Sequence, residues 1–177
     1  MDEAGRGPLA GPVVACAVVL DASRIPEGLD DSKRLSPRAR ERMLNTLKTC
    51  AEIGIGVAEP VEIARVNILW ASLAAMTRAV GALDRNGEGA PYALVDGNRM
   101  PRGMAGESIV KGDARCLSIA AASIVAKVVR DRLMAEACAR FPGYGLAGHK
   151  GYPTAAHRAA LAAFGPCALH REGFKLL

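Results

Sequence analysis

An α/β sandwich is the fold class this sequence predicts. Three observations carry it: short apolar runs of strand length, longer segments with apolar residues at helical spacing between them, and no repeat, low-complexity segment or linker across 177 residues. A chain of this length fits one domain, 1–177, and half of its residues are hydrophobic, so a buried core is expected.

The elements follow in order. Residues 12–20, PVVACAVVL, are an apolar β-branched run suited to a strand buried on both faces. A polar stretch, 21–35, holds Asp30-Asp31-Ser32-Lys33-Arg34. Ser36 and Pro37 then give a helix start, a hydroxyl cap followed by proline at the first helical position, and Met43, Leu44 and Leu47 share a face beyond it. Residues 51–58, AEIGIGVA, alternate as a short strand. From Val61 to Leu83 apolar residues recur at helical spacing (Ile68, Leu69, Leu73, Met76, Val80), and Asn86-Gly87-Glu88-Gly89 closes the segment. Tyr92–Val95 is a short strand running into Asp96-Gly97, and Ser108–Val110 another running into Lys111-Gly112-Asp113. A small-residue-rich helix is expected from 115 to about 141. A glycine-rich loop, FPGYGLAGHKGYP, a last amphipathic helix over 154–164 and a short tail complete the chain, with about 136–177 forming a C-terminal loop-and-helix extension.

Composition narrows the function. No apolar run approaches the roughly 20 residues that span a bilayer. The opening residues are acidic and show no leader pattern, so the cytoplasm is the expected location. Five cysteines, Cys16, Cys50, Cys116, Cys138 and Cys167, are scattered without a C-x-x-C pair, which predicts thiols rather than a disulfide framework or a zinc site. The net charge of +5 suits contact with a polyanion.

The chemistry lies in the acids. Asp96 and Asp113 follow strand-like segments, and Asp2 and Glu3 are adjacent near the start. Either aspartate alone would most often be a turn residue beside glycine. Gathered at the strand ends of one sheet, such carboxylates repel unless a cation neutralises them. Oxygen ligands without His or Cys suit Mg²⁺ or Mn²⁺. Two such ions roughly 4 Å apart can clamp a phosphodiester. Gly5-Arg6-Gly7 has a double reading: a simple turn, or glycines that open the backbone to an anion beside an arginine that grips phosphate.

The strings DEAGRGPLAGPV, DSKRLS, DGN, VKGDAR, IAAASIVAKVVRDR and FPGYG-x₃-HKGYPT, in this order, resemble bacterial ribonuclease HII, the type 2 ribonuclease H family. The resemblance extends to Asn67 with Ala74-Ala75-Met76, and to Gly165-Pro166 with His170-Arg171. It implies a ribonuclease H-like mixed sheet flanked by helices with a C-terminal helical segment. It also implies a metal-dependent endonuclease that cuts the RNA strand of RNA–DNA hybrids, including 5′ of single ribonucleotides in duplex DNA. Carried over, the metal-binding acids are Asp2, Glu3, Asp96 and Asp113, the turn Gly5, Arg6 and Gly7 contacts the ribonucleotide, and Tyr152 packs on its sugar. Lys33, Lys111, His149 and Lys150 are candidate phosphate contacts, each equally readable as solvated charge. Asp131 is expected to pair with a neighbouring arginine, His157 to be structural, and Ser118 and Ser123 to permit close helix packing. The glycine-arginine-glycine turn favours type 2 over type 3, which shares the fold.

In that family the paired acids sit on a central strand that begins upstream of them. With Met1 directly before Asp2, the first strand is expected to be truncated, and folding or metal binding to be weak. The alternative reading is accordingly a protein that binds hybrids without cutting them. A monomer is expected.

Overall fold

The computed structural model of the chain describes residues 1–83 and 91–176; the expected closure at Asn86–Gly89 lies outside them. Its strands are β1 (Asp2–Ala4), β2 (Val13–Leu20), β3 (Ala51–Ala58), β4 (Ala93–Asp96) and β5 (Gly106–Ile109). Its helices are α1 (Pro37–Cys50), α2 (Pro60–Gly81), α3 (Leu117–Arg140), the short α4 (Leu146–His149) and α5 (Ala155–Phe164), with a 3-10 turn at Gly112–Ala114.

The strands form an antiparallel sheet in the order β1-β2-β3 and a parallel pair β4-β5. Met1, just ahead of β1, joins the two. Its ammonium donates to the Leu94 carbonyl at 2.7 Å, and its own carbonyl accepts from the Asp96 N–H at 3.0 Å. Reaching to residues on either side of Val95 is the pattern of a parallel pair. So β1, three residues long, is seated between its hairpin partner β2 and β4, which brings Asp2 beside Asp96.

β2 is buried on both faces, as its unbroken apolar run predicts. Val13, Ala15 and Ala17 join α2 residues in one core, while Cys16 and Val18 pack with Leu44 and Leu47 of α1 and with α3. The alternation in β3 has a second purpose. A Cβ on Gly54 would lie 1.9 Å from the Ala79 carbonyl oxygen, and one on Gly56 2.0 Å from that of Ala75. The backbone of α2 rests directly on β3, and only glycine permits it. The small residues of α3 serve a comparable end: Ala121, Ala122 and Ala126 are buried against the sheet.

Ser36 caps α1 as expected, its hydroxyl accepting from the Ala39 N–H at 3.2 Å. α2 departs from expectation. It starts at Pro60 and breaks at Asn67, whose φ of 66° is left-handed. The Asn67 carboxamide oxygen accepts from the N–H of Leu69 at 2.9 Å and of Trp70 at 3.3 Å, so it restarts the helix as an internal cap. β5 starts two residues earlier than the expected Ser108–Val110 strand and ends one earlier, because its register is set by β4, Ala93 against Gly106 through Asp96 against Ile109. All five cysteines are free thiols. Among the described residues no helix is long and apolar enough to cross a membrane.

The close approach of α2 to β3 makes a prediction. Gly56→Ala should destabilise the protein by about 1–3 kcal/mol, the usual cost of forcing atoms into a filled interior. Urea unfolding at neutral pH measures it.

Candidate active site

Three carboxylates meet where the sheet elements end. Asp2 on β1, Asp96 at the end of β4 and Asp113 in the 3-10 turn each bring an oxygen within 4.8 Å of the other two. The turn is built for this: Lys111 adopts a left-handed conformation at its start, and the Gly112 N–H donates to an Asp96 oxygen at 2.7 Å. Glu3 follows Asp2 on the strand, and its carboxylate pairs with Arg6 at 3.4 Å. The Lys33 ammonium donates to Asp113 at 3.1 Å.

The electrostatics call for a cation. Burial, followed by the negative charges of Glu3, Asp96 and Asp113, pushes the Asp2 carboxyl up from 3.8 to about 8. Burial also raises Glu3, opposed by Arg6. A hydrogen bond to Asp113 raises the Lys33 ammonium. An oxygen-only donor set crowded enough to hold a proton fits a hard divalent ion, with Asp2, Asp96 and Asp113 as nearest ligands and Glu3 beside them.

A cavity of about 270 Å³ opens from the acids, and Asp2, Glu3, Gly5, Arg6, Gly7, Lys33, Asp96 and Tyr152 line it. Lys111 is exposed on its turn and does not line it. The Lys150 ammonium donates to the Ala147 carbonyl. His149 has no ring nitrogen free for a phosphate. Its Nε2 lies 2.8 Å from the Tyr144 carbonyl, its Nδ1 accepts from the Gly151 N–H at 3.1 Å, and its ring stacks on His157. His157 is structural, as expected: it is fully buried, with Nδ1 on the Tyr152 carbonyl at 2.9 Å and Nε2 3.1 Å from Nε2 of His170. Asp131 is structural too, but its partners are Lys127 at 2.7 Å and Arg40 at 4.0 Å.

Sequence reasoning missed Ser32, Ser123, Lys127 and Arg130, which also line the cavity. The last three stand four and then three residues apart on α3, one helical face, and that spacing was the available signal. Ser123 donates to Ser32 at 2.6 Å rather than merely making room for packing.

The turn from Gly5 to Pro12 is held from beneath. Arg171 is fully buried and Arg130 is 1% exposed. Arg171 donates to the carbonyls of Gly5, Arg6, Pro8, Gly11 and Pro12 at 2.6–3.2 Å. Arg130 donates to Ala10, Pro12 and Lys150 at 3.0–3.1 Å. Gly5 is left-handed, and a Cβ there would fall 2.1 Å from Arg130 Nε. Burial, with the like charge of Arg130, pushes Arg171 down to about 9, still protonated at neutral pH.

Two predictions follow from this geometry. Between pH 3.8 and about 8 the folded, cation-free protein holds an Asp2 proton that the unfolded chain has released. Its stability should therefore fall as pH rises through that window, and Mg²⁺ should restore it. Melting curves with EDTA and with Mg²⁺ check this, and Asp2→Asn should flatten the pH dependence and abolish the Mg²⁺ shift. Arg171→Met should cost about 3 kcal/mol or more, because several buried carbonyls lose their donor together; chemical denaturation reads it.

Comparison with known proteins agrees with the geometry. The family model described as Ribonuclease HII matches residues 1–177. Ribonuclease HII of Maricaulis maris is 55% identical over 176 residues, 98% of this chain and 79% of that protein. The fold is similar to that in the structure of the PCNA:RNase HII complex from Archaeoglobus fulgidus, with a TM-score of 0.82, 24% identity, and 99% and 94% of the two chains covered. Bst-RNase HIII in complex with Mn²⁺ shares the fold at a TM-score of 0.71 and 20% identity, covering 99% of this chain and 66% of that one. A match that runs the whole length of the chain, at more than half identity to a bacterial relative, makes it a member of the ribonuclease HII family of endoribonucleases.

Proposed function

We propose that the protein hydrolyses the RNA strand of RNA–DNA hybrids and cuts 5′ of single ribonucleotides in duplex DNA, leaving 3′-hydroxyl and 5′-phosphate ends. One observation supports the finer part. Gly7 faces the Tyr152 ring, a Cβ on Gly7 lying 3.8 Å from Tyr152 Cε1, and both line the cavity that holds the acids. A glycine opposite a half-exposed aromatic makes a slot where a sugar can pack on the ring while backbone sits close to its 2′-hydroxyl, the group that distinguishes RNA from DNA.

The residues divide the work. Asp2, Glu3, Asp96 and Asp113 hold divalent cations, Mg²⁺ or Mn²⁺. A pair of such ions, when bound, supplies an activated water and charge stabilisation for the departing 3′ oxygen. Arg6 and Lys33 bring positive charge to the scissile phosphate and limit repulsion between it and the acids. Tyr152 and the Gly5–Gly7 turn fix which phosphate is attacked by fixing the sugar beside it. Lys127, on the cavity wall, is a further phosphate contact, and Lys111 and Lys150 serve duplex farther out. The reading in which the protein binds hybrids without cutting is not favoured, because Asp2 and Glu3 sit on a strand paired with β2.

A duplex DNA carrying one ribonucleotide, incubated with Mg²⁺ or Mn²⁺, tests the proposal. The wild-type protein should cut on the 5′ side of the ribonucleotide. Asp96→Asn should lose more than about 100-fold in rate, beyond the effect of removing a residue that merely orients a metal ligand. Tyr152→Ala should lose discrimination between ribo- and deoxyribonucleotide. Absence of cutting by folded, Mg²⁺-loaded wild type would overturn it.

A further inference from the structure

A second groove borders the acid cluster. Leu69, Leu73 and Met76 of α2 form one wall, Asn98 and Arg99 after β4 form the other, and Glu3, Arg6 and Asp96 are shared with the first cavity. Beside it, one residue on from Leu69 and three on from Arg99, Trp70 and Arg102 are in contact: the guanidinium carbon lies 5.0 Å from the indole centroid. Trp70 is 43% exposed and is the single tryptophan of the chain.

We propose that this groove seats the nucleic-acid backbone flanking the scissile phosphate, with the Trp70–Arg102 pair as its outer anchor. The proposal rests on the hybrid-cleaving reading of the acid site, since a duplex bound there must extend past it. Two features select a polynucleotide over a protein occupant. The groove shares Glu3, Arg6 and Asp96 with the acid cavity, so a strand lying over the acids meets its rim. Its charge also fits: Arg6, Arg99 and Arg102 line or flank it, and among its lining residues the only carboxylates are Glu3 and Asp96, which belong to the cation site.

The anchor has a physical logic. Arginine in solution loses rotamer freedom when it grips a phosphate, and stacking on indole removes part of that freedom beforehand. The Asn67 cap fixes the backbone that carries the indole, because its side chain accepts from the Trp70 N–H. Arg102 thus presents its donors from a fixed platform, and the uncovered part of the indole offers an apolar surface to a sugar or an end base.

The sole tryptophan makes the test direct. The Asp96→Asn protein with Mg²⁺ holds substrate uncut, and a labelled hybrid reports binding by anisotropy while Trp70 reports by its own emission. The two signals should saturate together. Trp70→Ala should raise the Kd for hybrid at least about fivefold. Arg102→Ala should make log Kd less steep in log salt by roughly 0.9, one phosphate contact. Arg102→Lys should keep the salt slope but not the full affinity, and unchanged melting temperatures establish that the exposed substitutions leave the fold intact.

Hybrid binding with unmoved Trp70 emission and an unchanged salt slope would overturn the groove assignment and leave the cleavage reading standing. No hybrid binding at all, with no cutting by wild type, would overturn both. Self-association lost in Trp70→Ala, without an effect on hybrid binding, would assign the face to a second copy and overturn the proposal as well.

Discussion

Two buried guanidiniums, neither in a salt bridge among the described residues, organise this protein. Arg130 and Arg171 direct nearly all their donors at main-chain carbonyls of residues 5–12, and one reaches Lys150 in the Tyr152 loop. Burying an unpaired cation ordinarily costs several kcal/mol, and here a ring of backbone dipoles replaces the lost water. The arrangement constrains the chain around it. Carbonyls must point inward, so glycines occupy the left-handed positions 5 and 11, and Gly151 must be small because a Cβ would meet the Ala10 carbonyl at 2.4 Å.

The same choice serves the chemistry. Carboxylate partners for these arginines would add negative charge behind a site that already crowds four acids. Carbonyls leave the full positive charge in place beneath the Gly5–Gly7 turn. Asp2 shows the balance from the other side: burial first, then the negative charges of Glu3, Asp96 and Asp113, raise its affinity for a proton, and a divalent cation would relieve the same crowding. Lys33 on Asp113 and Arg6 on Glu3 supply part of that charge, each from a side chain that is largely exposed and free to shift.

Much of this was legible in the sequence, for physical reasons. A run such as PVVACAVVL has one stable placement, in the middle of a sheet between helices. Asp96 ends β4 and Asp113 follows its partner β5, and the bonds of Met1 to β4 bring Asp2 to meet them. The unread parts depend on distance in sequence or on competition between rules. Arg130 and Arg171 find carbonyl partners more than a hundred residues away, and no local pattern announces a carbonyl partner. Asn67 sits inside an unbroken helical period, so the pattern concealed the break that its side chain creates. His149 stands in a glycine-rich basic loop, where a phosphate contact is the natural reading. The structure instead spends both its nitrogens on backbone.

Gly5 and Arg171 also set a clock. They are 166 residues apart, and the hydrogen bond between them belongs to the clamp that shapes the turn. At synthesis rates of roughly 5–20 residues per second, the turn waits on the order of 10–30 s for the arginine that secures it. Through that interval the turn lacks the donors that hold its carbonyls inward. The turn therefore takes its final shape late, when Arg171 docks beneath it.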